Sequence, residues 1–223
     1  MKSERALEPE ERQELDKKAN PYDAIFFIVA TVQFIICIPI TASRYGPPAY
    51  NPLTTTISDL QAVNCGIFQG VYICSPLHDL ANISVAMLGL LIIAGSLLFR
   101  SRLRASCRRN VALSLFLIAG LATFANAFTP EDITWTGDLI TAIIAFLGAN
   151  FGLIQIGRTL ATDPRWRGYA IFSNVLGTVG IGAFVLDGFG LGTVIGEGTI
   201  EWLIIAPILV WAPVIGLRLI LRK

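Results

Sequence analysis

A serine, a histidine and several carboxylates lie in polar segments that border apolar stretches of the chain. Ser58 directly precedes Asp59, and His78 is the only histidine in the sequence. Serine, histidine and aspartate are the residue types of a nucleophilic hydrolase, which makes these three the candidate catalytic residues. His78 and Asn82 are four positions apart, so they share one face of a helix. The candidate ligand-binding residues are Asp59, His78, Asp79, Asn82, Asp138, Asp187 and Glu201.

These residue types restrict the chemistry that the set can perform. A zinc hydrolase is disfavoured because catalytic zinc sites commonly use two or three histidines, and the chain has one. A serine hydrolase needs Ser58 within hydrogen-bonding reach of His78, and the sequence has no nucleophile-elbow motif. Carboxylates also suit Ca²⁺ or Mg²⁺, which leaves an oxygen-rich cation site open as an alternative. We predict no resident metal and no cofactor.

The same side chains also have a purely structural explanation. Glu131 and Asp132 can interact favourably with the positive end of a helix dipole, and Asp132 can complete a capping box with Thr129. His78 can bond to a neighbouring acid or carbonyl. Four segments place a capping side chain before a proline at the first helical position, where the missing N–H costs nothing. They are Asn20-Pro21, Ser75-Pro76, Thr129-Pro130 and Asp163-Pro164.

The elements that must position these residues are six apolar runs. Each run has about the 20 residues that a helix needs to cross a hydrocarbon core of roughly 30 Å. The runs are too long for the strands of a membrane barrel, so helices must satisfy the backbone polar groups. We therefore predict an all-α, polytopic membrane bundle of six transmembrane helices. The runs are Pro21–Ala42, Pro76–Phe99, Asn110–Phe128, Gly137–Gly157, Tyr169–Asp187 and Ile200–Ile220.

The distribution of basic residues predicts the orientation of this bundle. All but one of the 17 Lys and Arg residues lie in the two tails and in the loops after the second and fourth runs. Arg44 is the exception, in the loop after the first run. Basic residues are retained in the cytoplasm, so we predict cytoplasmic N and C termini in the cell membrane. The predicted outer side carries Asp59, Asp79, Glu131, Asp132, Asp138, Asp187, Glu197 and Glu201.

The chain divides into a short tail and one membrane domain. Residues 1–20 are polar and predict a cytoplasmic tail, and residues 21–223 contain the six helices. The loop at residues 43–75 is the longest polar element, and a helix near Thr54–Val63 is expected within it. Cys65 and Cys74 lie in this loop on the predicted oxidising side, where disulfides persist. A disulfide between them would brace the loop and stabilise it by roughly 2–3 kcal/mol.

Several motifs resemble a prokaryotic six-span membrane family catalogued as domain of unknown function 998. The resemblance covers nearly the whole chain after residue 20, and it implies a six-span fold but no established reaction. Many relatives carry a second histidine after the third motif, where this chain has Asp138. The motifs that carry the resemblance are Tyr50–Leu53 with Ile57–Leu60, Cys74–Asn82, Phe128–Asp132, and Gly196–Glu201 followed by Trp211 and Gly216–Arg218.

Three functions remain open at the level of sequence. The preferred hypothesis is binding or handling of a lipid or small amphiphile in an outward-facing acidic pocket, with membrane lipids as partners. The first alternative is a non-catalytic accessory subunit that stabilises other membrane protein subunits, and the second is the membrane-embedded hydrolase. No basic patch indicates nucleic acid, because the topology already explains the arginines. An apolar cleft leading to the acids would favour binding, a filled bundle the accessory role, and contact between Ser58 and His78 the hydrolase.

Overall fold

The computed structural model describes residues 22–221. The predicted cytoplasmic tail at residues 1–20 lies outside these described residues. The elements are α1 (Asp23–Ala42), α2 (Ile57–Gln61), β1 (Gly66–Phe68), β2 (Val71–Ile73), α3 (His78–Phe99), α4 (Cys107–Asn126), α5 (Glu131–Leu160), α6 (Arg167–Gly188), α7 (Leu191–Ile195) and α8 (Glu197–Leu221). Short 3₁₀ turns occupy Arg100–Arg102 and Pro164–Trp166.

Six of these helices are long and apolar enough to cross a membrane, which confirms the prediction of a six-span helical bundle. They are α1, α3, α4, α5, α6 and α8. Each packs against its neighbours along the chain, and α8 packs against both α6 and α1, so the six close into a ring. We call the end with the long loop at residues 43–75 the acidic end. The opposite end, with the loops at 100–106 and 161–166, is the arginine-rich end.

The start of α5 differs from the prediction. The sequence placed the fourth span at Gly137–Gly157, but the helix begins at Glu131 and passes through a non-helical backbone angle at Thr134. No side chain caps this helix start, so the predicted capping box does not form. Instead, Asp132 accepts hydrogen bonds from the backbone N–H groups of Val63 and Asn64, at 3.0 and 2.8 Å. A tertiary contact to the long loop takes the carboxylate that the local motif would have used.

The second predicted cap also serves the long loop. Helix α3 begins at His78 without a side-chain cap, and the Ser75 hydroxyl donates to the carbonyl oxygen of Leu60 at 2.7 Å. The Asp163 cap does form, because its carboxylate accepts from the backbone N–H of Arg165 at 3.0 Å. The Asn20 cap lies outside the described residues. Polar side chains at the acidic end therefore bind the loop in preference to their own helix.

The long loop contains more structure than the sequence predicted. Thr56 caps α2 in a capping box, since its hydroxyl accepts from the Asp59 N–H and the Asp59 carboxylate accepts from the Thr56 N–H. Strands β1 and β2 form an antiparallel hairpin in which Gly66 pairs with Ile73. The predicted disulfide between Cys65 and Cys74 is present at the base of this hairpin. The loop is therefore a folded cap and not an extended linker.

Aromatic side chains fill the arginine-rich half of the ring. The ring of Trp211 lies 5.4 Å from Phe27 and 5.3 Å from Phe116, measured between ring centroids. Phe99 packs against the same tryptophan at 6.4 Å, and the indole N–H of Trp211 donates to the Ser173 hydroxyl at 2.8 Å. Trp211 is 0% exposed. We call Phe27, Phe99, Phe116 and Trp211 the aromatic plug.

The orientation of the ring can be tested by cysteine labelling on intact cells. The charge distribution predicts that a cysteine at Thr134 or Thr193, both exposed at the acidic end, reacts with a membrane-impermeant thiol reagent. A cysteine at Thr162, at the arginine-rich end, should react only after the cells are lysed. Cys107 is exposed and is first replaced by serine. If only the Thr162 variant is labelled on intact cells, the orientation is the opposite of the one predicted.

Candidate functional site

A cavity of about 70 Å³, partly open, lies inside the ring of helices. Its walls come from α1, α3, α4, α5 and α8, and most of them are apolar. Several lining residues of α4 and α5 are small, for example Ala119 and Ala145. The neighbouring helices do not fill the space next to these small side chains. The apolar wall includes Phe34, Leu88, Gly120, Ala145, Ile204 and Ile208.

Helix α2 covers the cavity at its acidic end. Ile57, Ser58 and Gln61 of this helix line the cavity directly. The Glu201 carboxylate, at the start of α8, accepts a hydrogen bond from the backbone N–H of Ile57 at 2.5 Å. The Gln61 side chain donates to Asn82 Oδ1 at 3.0 Å, and Asn82 Nδ2 donates back to the Gln61 carbonyl at 3.1 Å. Side chains of two spanning helices thus hold α2 in place.

A second carboxylate holds α2 from the side of α5. Asp138 is 4% exposed and accepts from the Ser58 hydroxyl at 3.3 Å. It also accepts from Asn126 Nδ2 at 2.8 Å, and that amide donates to the Thr141 hydroxyl at 3.1 Å. Hydrogen bonds to a carboxylate compensate part of the cost of burying its charge. Ser58, Gln61, Asn126 and Glu201 therefore form the polar roof of the cavity, whose remaining walls are apolar except at Thr123 and Asn150.

Glu131 and Asp59 complete a cluster of four acids at this end. The carboxyl of Glu131 interacts electrostatically with those of Asp59, Asp138 and Glu201. Glu131 is 6% exposed, and its Oε1 atom has no hydrogen-bond partner among the described residues. We call Asp59, Glu131, Asp138 and Glu201 the acidic cluster. Its members come from α2, α5 and α8, which are far apart in sequence.

The negative potential of this cluster extends to two tyrosines of the long loop. Burial, and then the negative charges of Glu201 and Asp59, raise the pKa of Tyr50 to about 12. Burial and the charge of Asp59 also raise the pKa of Tyr45 above its ordinary range. The two rings pack edge to face at 5.9 Å between centroids. Both phenols are therefore neutral at physiological pH and add no charge to the site.

The aromatic plug lies beyond the other end of the cavity. Ile208 lines the cavity, and Trp211 follows it by three residues on the same helix. On α4, Ala119 lines the cavity and Phe116 precedes it by three residues toward the arginine-rich end. The aromatic plug therefore lies between the cavity and the arginine-rich end. At its opposite end the cavity meets the acidic cluster through Glu201.

Four of the seven candidate ligand-binding residues come together around α2. Asp59 and Glu201 belong to the acidic cluster with Asp138, and Asn82 anchors α2. Asp187 lies at the edge, where its carboxylate interacts electrostatically with Glu201. The four residues are Asp59, Asn82, Asp138 and Glu201.

His78 and Asp79 lie apart from this group. The imidazole Nδ1 of His78 contacts the carbonyl oxygen of Ser75 at 3.0 Å, and its Nε2 lies 3.4 Å from Asp79 Oδ1. The Asp79 side chain is 89% exposed. The hydroxyl of Ser58 donates to Asp138, and no hydrogen bond joins Ser58 to His78 in residues 22–221. The three candidate catalytic residues therefore do not form a triad in this structure.

Sequence reasoning missed three contributors to the site. It treated Glu131 as a helix-dipole partner, and it assigned Asn126 and Gln61 no place in the site. One feature of the sequence could have identified Asn126. It lies at the end of one predicted span and Asp138 lies at the start of the next, so a tight connection between the two helices brings the amide close to the carboxylate. No comparable signal exists for Glu131, since only the kinked start of α5 brings it to Asp59.

The comparison with known protein families finds a match. The model of a protein family described as protein of unknown function (DUF998) matches residues 28–218. This range begins inside α1 and ends inside α8, so it includes the cavity and the acidic cluster. No curated protein and no solved structure matches the chain.

Proposed function

The chain belongs to the DUF998 family of proteins of unknown function, and from that starting point we propose that it binds a lipid or small amphiphile in the central cavity. The apolar part of the ligand lies between the helices, and its polar part lies at the acidic cluster. The charge rule places this end on the outer side of the membrane. The observation that carries the proposal is a mostly apolar cavity with a polar roof at one end and the aromatic plug beyond the other.

The lining of the cavity has the composition of a small-molecule site. Ligand sites combine apolar walls with a few placed polar groups. This cavity has that combination, and Ser58, Gln61, Asn126 and Glu201 supply the polar groups at one end. Most of the wall consists of apolar residues such as Leu88 and Ala145, which offer no hydrogen-bond partner to a fully polar solute. An amphiphile satisfies both regions at once.

The polar residues of the site bear on the two alternatives. An accessory subunit needs only an outer surface for a partner, so that role gives no function to the polar roof of the cavity. A hydrolase is expected to hold Ser58 next to His78, and these two side chains bond to other groups. Binding is therefore the function that the geometry supports best.

Filling the cavity should abolish binding. We expect Ala145→Phe to place an aromatic ring in the space that the ligand would take, because Ala145 lines the cavity and is 8% exposed. Purification in a mild detergent, followed by lipid extraction and mass spectrometry, measures the amphiphile retained per protein molecule. Retention should fall at least about tenfold in this variant, which corresponds to a loss of ~1.4 kcal/mol.

Ile144→Phe is the matched control for this experiment. Ile144 is the preceding residue on α5, is 41% exposed on the surface of the bundle and does not line the cavity. It should retain the wild-type amount of amphiphile. The proposal is wrong if the wild-type protein retains no amphiphile, or if both variants retain equal amounts while remaining folded.

A further inference from the structure

We infer that the amphiphile carries a cationic head group, such as a protonated amine, which binds at the acidic cluster. This inference rests on the proposed function and adds the chemical class of the ligand. It depends on three observations: the charge of the cluster, the unpartnered atom of Glu131, and the way the cluster meets the cavity.

The acidic cluster has no basic partner in the described part of the chain. Its hydrogen-bond donors are hydroxyl, amide and backbone N–H groups, and no ion pair joins any of its members to Lys, Arg or His within residues 22–221. Neutral donors compensate a carboxylate only in part, and a buried charge without a counterion is costly. Four carboxyls from three helices therefore create a site that favours a positive charge.

Glu131 supplies a second and independent observation. Glu131 is only 6% exposed, so it is more than nine-tenths buried. Its Oε1 nevertheless has no hydrogen-bond partner among the described residues. Buried polar atoms are usually paired, so an unpaired carboxyl oxygen indicates a missing donor. Its carboxyl also interacts electrostatically with that of Asp59. Two neighbouring carboxylates that interact in this way favour a proton or a cation between them.

The arrangement suits an organic cation better than a metal ion. Within residues 22–221, no group of three or more His, Cys, Asp or Glu residues is placed so that it could hold a metal ion. An ammonium group has three N–H donors and tolerates a looser set of acceptors. Glu201 lies both in the cluster and on the cavity wall, so a head group bound there would direct its apolar chain toward Ala145 and Ile208.

A series of ligands with one chain length and different head groups tests this inference. The wild-type protein in nanodiscs of zwitterionic lipid is titrated with dodecylamine, dodecanol and dodecanoate, and the thermal unfolding midpoint is measured. We expect dodecylamine to stabilise at concentrations at least about tenfold lower than dodecanol. Dodecanoate should not stabilise, because its carboxylate would be repelled. This comparison needs no variant, so it does not depend on how a substitution folds.

Two variants on α8 then assign the effect to the cluster. Glu201→Gln should remove the preference for dodecylamine over dodecanol, because the neutral amide keeps the shape and loses the charge. Glu197→Gln is the matched control, since Glu197 is exposed one turn earlier on the same helix and does not line the cavity. It should retain the preference. Asp138→Asn is the second cluster variant and should weaken the preference in the same direction.

The outcomes separate this inference from the proposed function. Equal stabilisation by dodecylamine and dodecanol, lost in Ala145→Phe, would leave amphiphile binding intact and overturn the cationic head group. A preference for dodecanoate would overturn it as well. Stabilisation by Ca²⁺ or Mg²⁺ that competes with dodecylamine would replace the organic cation by a metal ion. If none of the three amphiphiles stabilises the protein, both proposals fail.

Discussion

Trp211→Ala is expected to destabilise the protein by about 3–5 kcal/mol, the cost of removing a large aromatic side chain from a packed interior. Trp211 is fully buried and packs against Phe27, Phe99 and Phe116 from three other helices. Its removal leaves a void at the centre of the ring and leaves the Ser173 hydroxyl without its indole partner. Unfolding in mixed micelles with increasing denaturing detergent measures the change in free energy.

The same substitution at a surface tryptophan provides the control. Trp135 is 43% exposed and contacts Phe68 of the hairpin at 5.9 Å. Trp135→Ala should cost less than about 1.5 kcal/mol, because close to half of its surface is already exposed. Trp211→Phe should restore part of the lost stability, since it retains aromatic packing. Equal costs for the two alanine variants would contradict the description of the aromatic plug as the centre of the core.

Gly198→Ala is expected to detach the long loop from α8 and to cost about 1–3 kcal/mol, as overpacking usually does. A Cβ at this position would lie 2.6 Å from the carbonyl oxygen of Pro52 and would clash with that of Thr55. The backbone of the loop would have to move away, and it leads directly into α2. Hydrogen–deuterium exchange should therefore increase at the Ile57 amide, whose N–H donates a hydrogen bond to the Glu201 carboxylate in the native structure.

Gly188→Ala is the control for this substitution. Gly188 lies at the same end of the bundle, at the end of α6, and a Cβ there would meet no atom within 4 Å. Exchange in the long loop should remain at the wild-type level. A protected Ile57 amide in Gly198→Ala would show that α2 does not depend on this contact. Gly196 makes a similar approach to Leu53, and its φ of +100° adds strain to any substitution.

The sequence determined the number of spans because that prediction depends on local composition. A run such as Asn110–Phe128 must be helical in lipid whatever surrounds it, since its backbone has no other hydrogen-bond partners there. The disulfide was also accessible to sequence analysis, because the short sequence separation limits where Cys65 and Cys74 can lie. The short helix near Thr54–Val63 was accessible for the same reason, since its pattern is local. Such features need little knowledge of how the helices pack.

The tertiary structure decided which polar residues meet. Asp132 and Ser75 sit in good capping motifs, yet both bind the long loop because folding brings its unpaired backbone groups to them. His78 has the spacing of a site residue, but the turn before α3 directs it to Ser75 and Asp79. In each case, a hydrogen-bond partner that is close in sequence competes with one that is distant in sequence, and only the folded structure decides between them.

The cavity and the acidic cluster also depend on contacts between segments that are distant in sequence. Helical periodicity shows which residues share a face, but it does not show how far apart six faces lie once the ring closes. Ala145 and Ile208 line a cavity because small residues on α4 and α5 leave space that no neighbour fills. Glu131, Asp59 and Glu201 meet because three separate helices end at one level. The sequence alone determined the spans and their charge asymmetry, which are sums over neighbouring residues. The site was decided by packing between distant segments, whose geometry no local pattern contains.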